Sequence, residues 1–135
     1  MIFADTNVLF DVLQDDPSWA DWSQKQLEFA TAVDRVAINE AVFAELSAGY
    51  RNVEEVEQAL AEADIVLVRT SPIALFEAGK AFGRYRAAGG TRTGVLPDFF
   101  IGAQARSAGA RLITRDVRRY RTYFPDLELI APNLT

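Results

Sequence analysis

Hydrophobic and polar residues alternate along the chain in blocks that predict short buried strands separated by helices. Apolar runs predict strands at residues 1–4, 35–38, 65–68 and 111–114, and a less regular run at residues 127–130 is compatible with a last strand. Parallel neighbouring strands need crossover connections, so strands that alternate with helices indicate a mostly parallel sheet covered on both faces. The pattern therefore predicts an α/β fold with a central sheet flanked by helices.

Capping residues and helical spacing predict the helices between these strands. They run from residue 7 to 13, from a Ser18 cap to about 33, from an Asn39 cap to about 49, from about 53 to 63, from residues 70–72 to about 88, and from Pro97 to about 107. Glycines mark two breaks, at the loop of Gly89, Gly90, Thr91 and Gly94 and at Gly109. Two helices carry one apolar face each, namely Trp19, Trp22 and Phe29 (interrupted by Gln26), and Leu75, Ala78, Phe82 and Tyr85.

Composition limits the classes of chemistry. The 135 residues, 50% hydrophobic and 24% charged, fit one folded domain spanning 1–135. Cysteine and histidine are both absent, which excludes disulfides, thiolate or histidine-ligated zinc, and imidazole catalysis. No run approaches the roughly 18 to 20 apolar residues of a membrane span, and the N-terminus has no signal-peptide pattern. We therefore expect a soluble, cytoplasmic protein.

Charge is divided unevenly between the two halves of the chain. Residues 1–68 contain 14 acids and three cations, a net charge of −11, whereas residues 69–135 contain 11 cations and five acids, a net charge of +6. Together they give the overall −5. The basic half is compatible with binding of phosphates, although a solvated charged face explains the charge equally well.

Acids occupy the positions where ligands bind in parallel sheets, beyond the carboxyl ends of strands. Asp5 follows the first strand, Asp116 follows the fourth, Asp98 lies in the first turn of a helix, and Glu40 and Glu45 lie on the helix after the second strand. Carboxylates gathered at one edge raise one another's pKa, so a cation is expected between them. Hard oxygen ligands favour Mg²⁺ or Mn²⁺, which can polarise a phosphodiester and activate water.

Each acid also has a structural interpretation. Asp5 or Thr6 can cap the next helix, Asp98 can oppose a helix dipole, and Asp116 can open an Asx turn. Capping does not explain why acids follow two separate apolar strands while a third begins a helix, so the joint pattern favours a site. Glu40 and Glu45 border the same apolar face at about the same angle, and periodicity leaves both open.

Four segments, IFADTNVLFDVL, INEAVFAELSAGY, LPDFFIGAQA and LITRDVRRYRTYFPDLELIAP, resemble the PIN domain of VapC-type toxins from bacterial toxin–antitoxin pairs. The motifs DTN, LPDF and TRD occur in that family's order and spacing. The resemblance implies a Mg²⁺- or Mn²⁺-dependent endoribonuclease that hydrolyses RNA. It also implies an acidic cluster of Asp5, Glu45, Asp98 and Asp116, of which Asp5, Asp98 and Asp116 are metal ligands. Glu45 is favoured over Glu40 by its AEL context, and Glu40 becomes an auxiliary residue.

The resemblance also implies supporting residues and partners. Thr6, Asn7 and Thr114 are expected to be supporting polar residues, and Gln104 stands where the family often has histidine. Four arginines next to Asp116 are candidates for an RNA-facing rim, with a solvated helix surface as the alternative: Arg115, Arg118, Arg119 and Arg121. A cognate VapB-type antitoxin and a homodimer are the expected partners. The aromatic face of Trp19, Trp22 and Phe29 is more often core than an antitoxin groove, and the helix with Leu75, Phe82 and Tyr85 is a candidate dimer surface.

Other classes of protein fit less well. A phosphoacceptor receiver module needs an acid after its central strand, but residues 65–68 are followed by Arg69, Thr70 and Ser71. A phosphohydrolase with a nucleophilic aspartate needs a second aspartate where Asn7 stands. A PIN-like fold that keeps its acids and acts as a binding protein remains an open alternative.

Overall fold

Five short strands form one parallel sheet in the computed structural model, which describes residues 1–92 and 94–132. The strands are β1 (Ile2–Ala4), β2 (Val36–Ile38), β3 (Ile65–Leu67), β4 (Arg111–Ile113) and β5 (Leu129–Ile130). Every neighbouring pair is parallel, and the spatial order is β3-β2-β1-β4-β5. The predicted α/β fold is confirmed, including the irregular fifth strand.

The described residues form seven helices around this sheet. They are α1 (Thr6–Leu13), α2 (Ala20–Val33), α3 (Glu40–Ser47), α4 (Val53–Glu62), α5 (Pro72–Ala87), α6 (Leu96–Ser107) and α7 (Val117–Tyr123). The Asn39 cap is confirmed, since its side chain accepts from the Val42 amide. The Ser18 cap is wrong: the Asp16 carboxylate accepts from the amides of Ser18 and Trp19, and α2 begins later. No bounds were predicted for α7, although a helix surface was one interpretation of its arginines.

The predicted apolar face of α2 is confirmed for Trp22, which packs against the core, and is wrong for Phe29. Phe29 is 66% exposed, whereas Ser23 and Ala30 are the buried residues of this helix. The reason is a buried acid on α1: the Ser23 hydroxyl donates to Asp11 at 2.6 Å, which turns this side of α2 towards the core. Trp22 is only partly buried.

The long helix α5 packs against α6 through small residues. Its buried positions are Ala74, Ala78 and Ala81, which let the two helices approach closely. Leu75 is exposed, contrary to the prediction, and Phe82 and Tyr85 are partly buried against Phe99. Most of the predicted dimer surface is therefore used inside the chain. The exposed apolar side chains of α5 are Ile73, Leu75 and Phe76.

Close packing at the C-terminal part of the chain brings α6 and α7 together. A Cβ atom on Gly102 would lie 2.7 Å from the Phe124 ring, so glycine is needed for α6 to approach the residue that follows α7. This contact places the N-terminal turn of α6 beside α7. No helix in the described ranges is both long and apolar enough to cross a bilayer.

The connection from β3 to β4 reverses the direction in which the sheet grows. The chain passes from β1 to β2 and β3 on one side, and then crosses to β4 on the other side of β1. In parallel sheets such a reversal opens a crevice at the carboxyl ends of the strands, where ligands bind. Here β1 and β4 end at the crevice, so Asp5 and Thr114 are neighbours there.

Candidate active site

Asp5 lies at the bottom of the crevice with both carboxylate oxygens engaged. One oxygen accepts from the Thr114 and Tyr120 hydroxyls at 2.8 Å each and more weakly from the Asn7 amide at 3.4 Å, while the other accepts from the Thr6 amide at 2.8 Å. Asp5 therefore caps α1, as the structural interpretation held, and also faces the site. Burial raises the pKa of the Asp5 carboxyl, and these hydrogen bonds offset the rise only in part.

Tyr120 is a site residue that the sequence reasoning missed. Its side chain is fully buried on α7, and its hydroxyl donates to Asp5 across a separation of 115 residues. Burial and the negative charges of Asp5 and Asp98 hold the pKa of the phenol well above its ordinary value, so it remains a donor. From the sequence, a tyrosine four residues after an aspartate is interpreted as a core residue. No local pattern indicates that its hydroxyl bonds to Asp5.

Asp98 and Asp116 lie beside Asp5 and share one arginine. The Arg119 guanidinium donates through Nη1 to Asp98, and the same nitrogen is 3.9 Å from an Asp116 carboxylate oxygen. Burial and the charge of Asp5 raise the pKa of Asp98 to about 7, with Asp116 adding to the rise and Arg119 opposing it. One cation therefore does not balance the negative charge gathered here.

The Asp116 carboxylate lies 3.9 Å from Arg119, and its side chain is 42% exposed. It precedes α7 without making a side-chain capping bond, so the Asx turn given as its structural alternative is absent. Instead, the Asp116 amide donates to the Thr114 hydroxyl at 3.0 Å. The Asn7 side chain links α1 to the same loop, because its Oδ1 accepts from the Arg115 amide at 3.3 Å. Thr114 and Asn7 thus hold the loop that carries Asp116.

Glu45 and Glu40, which periodicity could not separate, lie in different surroundings. The Glu45 carboxylate accepts from the Thr6 hydroxyl at 2.8 Å, and Thr6 directly follows Asp5. Glu40 instead accepts from both the amide, at 2.9 Å, and the hydroxyl of Thr70. Asp5, Glu45, Asp98 and Asp116 are called the acid cluster below, and Glu40, Thr70 and Gln104 the strand-end cluster.

The strand-end cluster closes the chain after β3 onto α6. The Gln104 side-chain amide donates to the carbonyls of Val68 and Arg69 at 3.1 Å each, and its oxygen lies 3.2 Å from the Thr70 hydroxyl, which donates to Glu40. Partial burial acts to raise the pKa of Glu40, but the hydrogen bonds from Thr70 outweigh it and the pKa is lowered. This cluster is satisfied by its own hydrogen bonds.

The four arginines near Asp116 divide into three environments. Arg115 donates two hydrogen bonds to buried Asp11, at 2.7 and 2.8 Å, and its guanidinium lies 4.9 Å from the Trp19 ring centre. This ion pair anchors the β4–α7 loop to α1 and turns Arg115 away from a rim. Arg119 faces the acid cluster, and Arg118 and Arg121 are exposed on α7.

The donor chemistry of the acid cluster suits a hard divalent cation, since its side chains offer only carboxylate oxygens. The cation expected between the acids has a counterpart in Arg119, whose guanidinium lies against Asp98 and Asp116. Within residues 1–92 and 94–132, no three acids are arranged closely enough to hold a metal ion. The expected convergence of four carboxylates is thus incomplete: three are coupled electrostatically, and Glu45 is joined to them through Thr6.

Known structures share this fold at low sequence identity. VapBC-1 from nontypeable Haemophilus influenzae matches with a TM-score of 0.71 and 22% identity, over 97% of this chain and 98% of that one. A toxin–antitoxin complex from Klebsiella pneumoniae matches with a TM-score of 0.70 and 20% identity, over 100% of both chains. FitAcB from Neisseria gonorrhoeae matches with a TM-score of 0.69 and 19% identity, over 99% and 100%.

Sequence comparison gives a broader assignment. No curated protein sequence matches the chain at a significant level. The family model described as "PIN domain" matches residues 2–125, which include β1 to β4, all seven helices and the whole acid cluster. The chain therefore belongs to the PIN domain family.

Proposed function

We propose that this protein is a metal-dependent endoribonuclease and the toxin of a toxin–antitoxin pair. One observation carries the nuclease part: at the sheet crevice the pKa values of Asp5 and Asp98 are raised, the charge of Asp116 contributes to both rises, and among the described residues Arg119 is the cation that pairs with Asp98 and Asp116. PIN domains are generally nucleases, which supports this interpretation. The similar solved structures include toxin–antitoxin complexes, which supports the toxin part.

Asp5, Asp98 and Asp116 are the residues that would hold Mg²⁺ or Mn²⁺. A cation bound there supplies Lewis-acid chemistry, lowering the pKa of water and neutralising charge on a phosphodiester. Thr114 and Tyr120 fix the Asp5 carboxylate in one orientation, as partners of metal-binding carboxylates commonly do. Glu45 is exposed and bonded to Thr6, and it accepts the proton of the attacking water in this proposal.

The basic half of the chain supports RNA as the substrate. Residues 69–135 carry a net charge of +6, and Arg118 and Arg121 are exposed on the helix that follows Asp116. Cations on such a surface bind backbone phosphates without reading the sequence. Binding is therefore expected to weaken steeply as salt is added.

Exposed apolar surfaces support protein partners. Phe29 and Val33 on α2 and Ile73 and Phe76 on α5 are more than half exposed. An antitoxin and a second copy of the chain are the partners proposed for such surfaces. Light scattering of Phe76→Glu and Phe29→Glu variants distinguishes them: loss of self-association on the α5 change alone is expected, and an unchanged mass for both variants contradicts the dimer.

Cleavage of total cellular RNA by antitoxin-free protein tests the proposed activity. Incubation with Mg²⁺ or Mn²⁺ is expected to give discrete fragments, which EDTA prevents. Asp5→Asn and Asp98→Asn variants with unchanged circular dichroism are expected to lose the fragments, because each removes a carboxylate of the acid cluster. If the wild type cuts no RNA with either metal, or both variants cut as well as the wild type, the nuclease proposal fails and a binding function replaces it.

A further inference from the structure

Arg119 occupies an unusual position for an arginine on the helix of a predicted RNA-facing rim. Its side chain is only 16% exposed, and Nη1 donates to Oδ2 of Asp98, one of the two carboxylate oxygens that this residue offers to a cation. The same nitrogen lies 3.9 Å from Asp116. In the part of the chain that the structure describes, no other cation pairs with either aspartate.

This pairing opposes the binding of a metal ion at the same carboxylate. A guanidinium held against Asp98 and a divalent cation bound to Asp98 repel each other, because both are positive and lie at short range. A divalent ion also matches the charge of the cluster better, because it brings two positive charges where Arg119 brings one. A metal ion that enters the acid cluster therefore favours release of Arg119 from Asp98.

An open concavity beside Arg119 can receive the displaced side chain. It has a volume of about 520 Å³ and is lined by Thr91, Arg92, Gly94, Val95 and Arg119. Two arginines and a threonine in one concavity next to the acid cluster are groups that bind a phosphate. The concavity offers a displaced guanidinium no carboxylate partner among these lining residues.

We propose that Arg119 is an exchangeable counter-ion that links metal binding to RNA binding. Without metal, its guanidinium pairs with Asp98 and Asp116. When a divalent cation takes these carboxylates, the guanidinium moves towards Arg92 and binds a phosphate of the RNA next to the scissile bond. This inference rests on the proposed function, and the experiments below separate the failure of one from the failure of the other.

Calorimetric titration of metal-free protein with Mn²⁺ tests the first half of the exchange. Arg119→Gln is expected to bind Mn²⁺ about tenfold more tightly than wild type, since a neighbouring charge changes the affinity of a site for a cation by at least that factor. Arg118→Gln removes an exposed arginine from the same helix and is expected to change the affinity less than twofold. Arg119→Lys keeps the charge and serves as a second variant, with an affinity expected close to wild type.

The outcomes of this titration are distinct. Equal affinities of folded Arg119→Gln and Arg118→Gln, with binding abolished by Asp98→Asn, overturn the counter-ion and leave the proposed function intact. If wild type binds no Mn²⁺, or Asp98→Asn binds it equally well, the proposed function and the counter-ion fail together. If Arg119→Gln does not unfold cooperatively on heating, the Mn²⁺ affinity of Arg119→Lys is the deciding measurement. This variant keeps the positive charge, so a Mn²⁺ affinity tenfold above that of wild type contradicts competition by charge.

RNA binding tests the second half of the exchange, in the Glu45→Gln background so that cleavage is slow. Mn²⁺ is expected to strengthen binding of a single-stranded RNA, measured by fluorescence anisotropy. Adding Arg119→Gln is expected to reduce this gain about tenfold, because a charge-assisted contact to phosphate is lost, while adding Arg118→Gln leaves the gain unchanged. An equal gain in both double variants overturns the phosphate contact.

Discussion

Two polar clusters lie at the carboxyl ends of the same parallel sheet, and the pKa values of their acids are shifted in opposite directions. In the strand-end cluster, Glu40 accepts hydrogen bonds from Thr70, and its pKa is lowered. In the acid cluster, Asp98 faces Asp5 and Asp116, and its pKa is raised to about 7. Both clusters follow buried strands and both contain short polar side chains.

The contrast separates a structural acid from a candidate catalytic one. Glu40 accepts hydrogen bonds from the amide and hydroxyl of Thr70, so its charge stabilises the chain connection after β3. Asp98 lies beside other acids, and within residues 1–92 and 94–132 Arg119 is the one cation that pairs with it. The surplus of negative charge, rather than the number of carboxylates, marks the place where a cation is expected.

The largest expected effect comes from a matched pair on α3. Glu45→Gln is expected to lower the rate of RNA cleavage about hundredfold or more, since it removes the proposed proton acceptor. Glu40→Gln is the same change on the same helix and is expected to leave the rate within about twofold, because Glu40 contacts Thr70 rather than the acid cluster. Gel-based cleavage rates at saturating Mg²⁺ compare them, and a greater loss in Glu40→Gln reverses the assignment.

The next effect concerns stability and pH in metal-free protein. The pKa of Asp98 is about 7 in the folded protein against an ordinary 3.8, so the folded state holds this proton more tightly than the unfolded chain. The free energy of unfolding therefore falls as pH rises from about 4 to about 7. Asp98→Asn, which cannot ionise, is expected to be more stable than wild type at pH 8 by about 2 kcal/mol and to lose most of that advantage at pH 5.

Glu40→Gln is expected to change the stability at pH 8 in the opposite direction to Asp98→Asn. Because the pKa of Glu40 is lowered in the folded protein, its charge contributes stability above its ordinary pKa, and this contribution is lost as pH falls. The variant is expected to be less stable than wild type at pH 8, by under about 1 kcal/mol for an exposed side chain. Urea unfolding in EDTA at both pH values measures these differences. A destabilised Asp98→Asn at pH 8 contradicts the surplus of charge.

A smaller effect tests how the fold holds the acid cluster. Tyr120→Phe keeps the buried ring and removes one hydrogen bond to Asp5, so RNA cleavage and Mn²⁺ affinity are each expected to fall about tenfold. The control is Tyr123→Phe, the same change on the same helix, because the Tyr123 ring packs on Phe99. If both variants behave alike, the hydroxyl of Tyr120 does not orient Asp5.

The smallest effect concerns the exposed arginines. Arg121→Gln is expected to weaken RNA binding about threefold at low salt and to reduce its salt dependence, because one phosphate contact is lost. Arg35→Gln removes a cation from the acidic half of the chain and is expected to change nothing. Fluorescence anisotropy at two salt concentrations compares them, and equal weakening would assign RNA binding to overall charge instead of to α7.

Short sequence patterns correctly predicted the features that depend on residues close together in the chain. Asn39 caps its helix through a bond three residues away, the helix predicted to begin at residues 70–72 begins at Pro72, and apolar runs separated by helices give the parallel sheet. The positions of Asp5 and Asp116 after adjacent strands follow from the same pattern, because a parallel sheet brings its carboxyl ends to one edge. Their roles remain proposals.

Features that depend on contacts distant in sequence were missed. The Tyr120 bond to Asp5 and the Arg115 bond to Asp11 each span more than a hundred residues. The buried Asp11 also explains the misread face of α2, since Ser23 turns inward to reach it and Phe29 is left outside. On α5, periodicity favoured Leu75, whereas close approach to α6 required alanines.

The most direct test of the account is a crystal structure of the protein grown with Mn²⁺, with the metal identified by its anomalous scattering. We expect a peak at about 2.0–2.3 Å from carboxylate oxygens of Asp5, Asp98 and Asp116, with the Arg119 guanidinium moved away from Asp98. A structure at saturating Mn²⁺ that has no peak in the acid cluster, and in which Arg119 still pairs with Asp98, would contradict it.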